Sequence, residues 1–257
     1  MAALAEQVGT IMAKGFFKQI PNIQYDFKSD GKFFQAKDLF RKVSVWSYLQ
    51  EGISGYNYYR ITEGERPDVV ASKLYGDSTL YWTFFLVNEN LQDLNDWPKS
   101  GQLFHKFLTR KYSGTVLVAG SSTDIVSFNH STNVSSKFQL GEKVSQSSSG
   151  AYGFVTKIDP TYNRIVLNSV VGSFTNNSVI GSDSDKSFTV TSVAAEKDVV
   201  HHYTDSNDLR TTVSTSNTPV SNEEYERQIN EDKFNIRIIE PKYIDKVVTE
   251  FNRIVRD

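Results

Sequence analysis

The sequence predicts an α+β chain, and three observations carry that prediction. Apolar residues recur at helical spacing over 67–88 and again over 241–255. Between them, short alternating runs are divided by turn residues every eight to twelve positions over roughly 138–190. The composition also changes along the 257 residues: 21 of the 33 aromatic residues fall in the first 112 positions, whereas Ser and Thr make up 34 of the 106 residues from Ser113 to Thr218. Two regimes in a chain of this length indicate more than one module.

Residues 1–57 read as an N-terminal arm. Leu4, Val8, Ile11 and Met12 share one side of an expected helix from Ala2 to Lys14. Phe16 and Phe17 follow, and then Ile23, Tyr25 and Phe27 alternate with Asn22, Gln24 and Asp26 as in a half-buried strand. Phe33, Phe34 and Trp46 stand in a polar background. These rings either form ordinary core or belong to a surface that another subunit completes, because so short a segment has little chain of its own to bury them.

Residues 58–112 are expected to run strand, helix, helix, strand. Tyr58–Ile61 is strand-like. Pro67 suits the first position of a helix, where a missing N–H is tolerated, and Gly76 supplies its left-handed stop. Asp77 or Ser78 caps a second helix, Thr79 to Asn88, which carries Leu80, Tyr81, Trp82, Phe84, Phe85, Leu86 and Val87. A helix apolar on nearly every side needs a dry partner. After Trp97, Pro98 and Gly101, the run Gln102–Phe107 alternates like a closing strand.

Residues 113–198 are expected to form an inserted small antiparallel sheet or barrel, with Gly141-Glu142 and Gly181-Ser182 as an internal echo. Residues 199–257 return to the host fold. Val199–Tyr203 is strand-like, and Ser221 with Glu224 has capping-box spacing for a short helix. Phe234–Ile239 alternates weakly. Pro241 then opens a final helix whose stripe of Ile244, Val247, Val248, Phe251, Ile254 and Val255 must be buried, more readily within the chain than against a partner.

Composition narrows the functional classes. With 28 Lys and Arg against 30 Asp and Glu, the charge of −2 gives no general attraction for nucleic acid or an anionic membrane. No stretch reads as a leader peptide or a bilayer span, so a soluble protein made in a cytoplasm is expected. There is no cysteine, hence no disulfide, thiolate metal site or Cys nucleophile. Phosphate-cradling glycine motifs and a Gly-x-Ser-x-Gly elbow are missing. His201, His202 and Asp205 have ligand chemistry, yet strand alternation sends adjacent histidines to opposite faces, so no metal is expected. Glu63 and Glu65 read as solvated turn acids, too close together on one turn to flank a glycosidic bond. No catalytic residue and no cofactor is predicted.

Tyr59–Glu65, Val70–Gly76, Leu86–Asn88 and Pro98–Leu103 together resemble a LysM repeat, a βααβ unit. The longer pattern resembles the baseplate wedge protein 53 family of contractile-tailed bacteriophages. It is carried by Phe16-Phe17, Ile20–Phe27, the LysM-like block with Trp82, Asn88 and Trp97-Pro98, then Glu226–Asn230 and Arg237–Ile244. The middle module departs from that pattern. The resemblance implies a non-enzymatic virion component, present in multiple copies in a symmetric baseplate, joining wedge proteins to each other and towards the hub. Partner contacts are then expected at Phe16, Phe17, Tyr25, Phe27, Phe33, Phe34, Trp46, Tyr81, Trp82, Phe85 and Trp97. The alternative it implies is a peptidoglycan-binding module, its groove between Thr62–Arg66 and Asn90–Gly101. A cell-wall hydrolase would need a catalytic constellation that the chain does not offer.

Overall fold

The computed structural model describes residues 21–38, 56–120, 133–134, 137–211 and 216–256. The expected helix at 2–14 and the rings of Phe16, Phe17 and Trp46 lie outside them. The fold is α+β and divides into two compact units. One comprises the described residues up to Ser100 together with those from Asn230 onward; the other is Gly101–Ile229.

The first unit begins with an antiparallel hairpin of β1 (Asn22–Tyr25) and β2 (Phe34–Lys37). β3 (Tyr56–Arg60) leads into α1 (Pro67–Tyr75), with Pro67 at its start and Gly76 in the left-handed region at its end (φ 72°). Asp77 then accepts the Thr79 N–H at 2.8 Å and opens a 3₁₀ turn, Ser78–Tyr81, that runs into α2 (Trp82–Val87). The chain leaves this unit at Ser100 and returns at Asn230.

The strand that pairs with β3 is not 102–107. It is β13 (Asn235–Ile239), antiparallel to β3 with Ile236 opposite Tyr59 and Ile238 opposite Asn57. Gln102–Phe107 instead lies within a helix, α3 (Gly101–Lys111). Within that helix Leu103, Phe104, Phe107 and Leu108 satisfy helical spacing, and the helical period prevails over the two-residue alternation.

A 3₁₀ turn at Pro241–Tyr243 precedes α5 (Ile244–Arg256). Its Ile244, Val247, Val248 and Phe251 pack with Leu80, Trp82, Val87 and Ile239 in one cluster. A second cluster joins Ile61, Val70, Ala71, Phe84, Leu91, Trp97, Ile236 and Ile238. α2 contributes Trp82 and Val87 to the first and Phe84 to the second, which explains why it is apolar on opposite sides. Its dry partners are α5 and β13 of the same chain, so no other subunit is required to cover it.

In the second unit, six strands close an antiparallel barrel: β4 (Thr115–Ala119), β5 (Lys143–Gln146), β6 (Ala151–Asp159), β7 (Arg164–Val171), β8 (Ser178–Gly181) and β9 (Ser187–Ala195), in the order β4-β7-β6-β5-β8-β9. Leu117, Val144, Val155, Ile165, Leu167, Val179 and Val190 fill the interior, as alternation requires of a small barrel. A separate sheet holds β10 (Val200–Thr204) between β11 (Arg210–Thr211) and β12 (Thr218–Ser221). Ser221 Oγ accepts the Glu224 N–H at 3.1 Å and caps α4 (Asn222–Asp232).

Candidate assembly surface

In the hairpin, Ile23 stands opposite Ala36 and Tyr25 opposite Phe34. Side chains on strands alternate between faces, so these four residues share one face of the ribbon while Asn22, Gln24, Gln35 and Lys37 share the other. The apolar face is open to solvent: Tyr25 is 51% exposed and Phe34 58%, with Phe27 and Phe33 beyond them at 76% and 65%. The tip that presents these rings is organised. Asp26 accepts N–H groups from Lys28, Asp30 and Gly31 at 3.2, 3.2 and 2.8 Å, and Gly31 takes the positive φ (77°) that the turn requires. A two-stranded ribbon alone is marginally stable in water. One with four large rings uncovered is a surface suited to docking.

The other expected contact residues are placed differently. Trp82 is 4% exposed and its ring lies 4.5 Å from that of Phe251. Trp97 is 8% exposed, stands 5.9 Å from Phe84, and donates its indole N–H to the Glu65 carbonyl at 2.7 Å. Both tryptophans are therefore interior residues of their own unit. Tyr81 and Phe85 are half-buried and meet edge to face at 6.4 Å. Tyr58, 76% exposed on β3, is a large surface ring that the sequence pattern did not single out.

An open groove of about 770 Å³ runs beside the end of β3, lined by Arg60, Ile61, Thr62, Glu63, Glu231, Asp232, Phe234 and Asn235. Its second wall is Glu231, Asp232, Phe234 and Asn235. Glu65, expected to be a solvated acid, is turned inward instead. It accepts the Thr62 N–H at 2.9 Å, the Tyr59 hydroxyl at 3.0 Å and the Lys73 ammonium at 3.1 Å. The bond from the Thr62 backbone, with those from Lys73 and Tyr59, holds its carboxyl below the usual range against the opposing effect of burial. Glu65 thus fixes the β3–α1 turn.

Among the described residues, no group of three or more His, Asp or Glu side chains is placed to hold a metal ion. No helix among them is long and apolar enough to cross a membrane. The histidines are nevertheless not on opposite faces: His201 and His202 bring their Nδ1 atoms to 2.9 Å, because β10 carries a bulge at that point.

The organised ribbon falls inside a segment with known relatives. Residues 12–131 match the family described as base plate wedge protein 53. The chain is also 29% identical over 99 residues to the baseplate wedge protein gp53 of Enterobacteria phage T4, covering 38% of this chain and 50% of that relative. The two matches support the baseplate wedge family. The chain spans about half the length of the curated relative it matches. The family match contains β1, β2, β3, α1, α2, α3 and β4, and stops before the remaining barrel strands.

Proposed function

We propose that this chain is a non-enzymatic structural component of a phage tail baseplate wedge, and that residues 1–57 form the arm through which it binds neighbouring wedge proteins and reaches towards the hub. One observation carries the reading: the wedge-family segment includes a pre-shaped hairpin whose Tyr25, Phe27, Phe33 and Phe34 are left in water. Exposed aromatic clusters supply most of the binding energy at permanent interfaces. Within this reading the β3–α1–α2–β13 unit is a LysM-like βααβ core, and 113–198 is a module inserted into it.

The test is co-assembly. A variant with Tyr25, Phe27, Phe33 and Phe34 all changed to Ser is mixed with the other wedge proteins of the same phage and sedimented. The expected result is a folded protein, unchanged in circular dichroism, that stays out of the wedge complex. Incorporation equal to that of the unmodified chain would reject the reading.

A glycan-binding module is the second reading, favoured only by the open groove beside Thr62 and Glu63. That groove offers acidic side chains from Glu63, Glu231 and Asp232, and Phe234 is its one aromatic residue. Retention on purified peptidoglycan would favour it; passage through the column would remove it.

A further inference from the structure

His201 is the extra residue of a bulge. Val200 pairs with Ser221 and His202 with Val220, so the register slips by one between them and both imidazoles emerge on the same side. Their rings meet edge to face at 86° with Nδ1 2.9 Å from Nδ1. A nitrogen pair at that separation holds one proton: one ring donates and the other accepts.

His201 cannot simply swing away. Its ring lies flat on Tyr225 of α4, with centroids 3.8 Å apart and planes within 10°. Its carbonyl accepts the Tyr162 hydroxyl at 3.2 Å.

The surroundings oppose a second proton. Arg210 on β11 acts on both rings, and Arg164 on β7 acts on His201. Glu226 on α4 acts in the opposite sense, but its Oε1 already accepts Lys111 Nζ at 2.7 Å and the Tyr112 hydroxyl at 2.8 Å. β12 brings Thr218, Pro219, Val220 and Ser221, none of which titrates. Burial first, then the neighbouring positive charge, pushes both imidazoles below the ordinary histidine value.

We propose that the His201–His202 pair is an acid-operated latch: one shared proton closes it at neutral pH, and arrival of a second drives the rings apart and loosens β10 from β11, β12 and α4. The sign follows from linkage. The folded pair refuses a proton that an unfolded histidine accepts near pH 6.5, so the stabilisation is complete above that value, declines as pH falls through it, and levels off once the folded pair is charged. This inference does not depend on the wedge reading.

The experiment is hydrogen exchange of the full chain at pH 7.5 and 5.0, corrected for intrinsic rates. Expected is a loss of protection of about tenfold in 199–211 and 218–226, with β6 and β7 unchanged. His202→Gln, which cannot take up the second proton, should keep its neutral-pH protection at pH 5.0. No selective loss in the unmodified chain, or an equal loss in the variant, would overturn the latch. Should the variant not fold, a ring-nitrogen titration of the unmodified chain decides. Two steps separated by more than about one pH unit support the shared proton, and coincident steps near the ordinary value reject it.

Discussion

Asn88 and Arg237 are joined as though by a strand pair. The Asn88 side-chain carbonyl accepts the Arg237 N–H and its amide donates to the Arg237 carbonyl, both at 2.8 Å. The same amide also donates to the Phe84 carbonyl at 2.8 Å, which ends α2 and ties it to β13. One buried side chain thus does the work of a neighbouring backbone.

Asn88→Ala removes the side chain's bonds to the Arg237 N–H and carbonyl and to the Phe84 carbonyl, and should destabilise the first unit by about 2–3 kcal/mol. Asn88→Asp should be at least as damaging, since a carboxylate cannot donate to the Arg237 and Phe84 carbonyls. Tryptophan fluorescence during urea unfolding reads this, because residues 101–229 contain no Trp.

Phe251→Ala removes the ring packed on Trp82 and opens a cavity between α5 and α2. The expected loss is about 3–5 kcal/mol. The same fluorescence midpoint should shift, while the circular dichroism of the barrel persists to higher denaturant.

In the barrel, Gly181→Ala should destabilise by about 2–4 kcal/mol, because a Cβ there would overlap Glu142 Oε1 and sit 2.6 Å from Ser184 Oγ. Differential scanning calorimetry should show the effect in one transition only, that of Gly101–Ile229.

Glu142 also predicts a pH dependence. Burial pushes its carboxyl up, but the Ser184 hydroxyl and the N–H groups of Gln139, Ser184 and Asp183 together bring it below the ordinary value. A carboxyl lowered in the folded state contributes stability above the unfolded value near pH 4.5, and loses it as pH falls through the folded value. Barrel stability should therefore fall between about pH 5 and pH 3. In Glu142→Gln, already weaker at neutral pH, that slope should be reduced; an unchanged slope would contradict the assignment.

Local chemistry was legible in the sequence where one or two residues decide it. Pro67, Gly76, Asp77 and the Ser221–Glu224 pair mark their helix ends, and the stripe from Ile244 to Phe251 announces a buried face. The rhythm of short strands pointed to a small sheet or barrel. Pairings between distant segments were not legible. β13 is weakly patterned and its partner β3 lies on the far side of a whole module, so Gln102–Phe107, nearer and alternating, was the more evident candidate. Trp82 and Trp97 read as surface for the same reason: the elements that cover them, α5 and β13, are remote in sequence. The His201–His202 contact depends on a single-residue slip that no residue type signals.

Where the chain leaves the first unit and where it comes back, Asn230 accepts the Lys99 N–H at 2.8 Å and returns a bond to the Lys99 carbonyl at 3.1 Å. The two ends of a 129-residue excursion, Gly101–Ile229, are therefore clasped at its neck by one carboxamide. A loop whose ends already touch can be shortened, lengthened or exchanged with little strain on its host. Replacing Gly101–Ile229 by a short glycine-serine bridge between Lys99 and Asn230 should therefore leave the βααβ body folded.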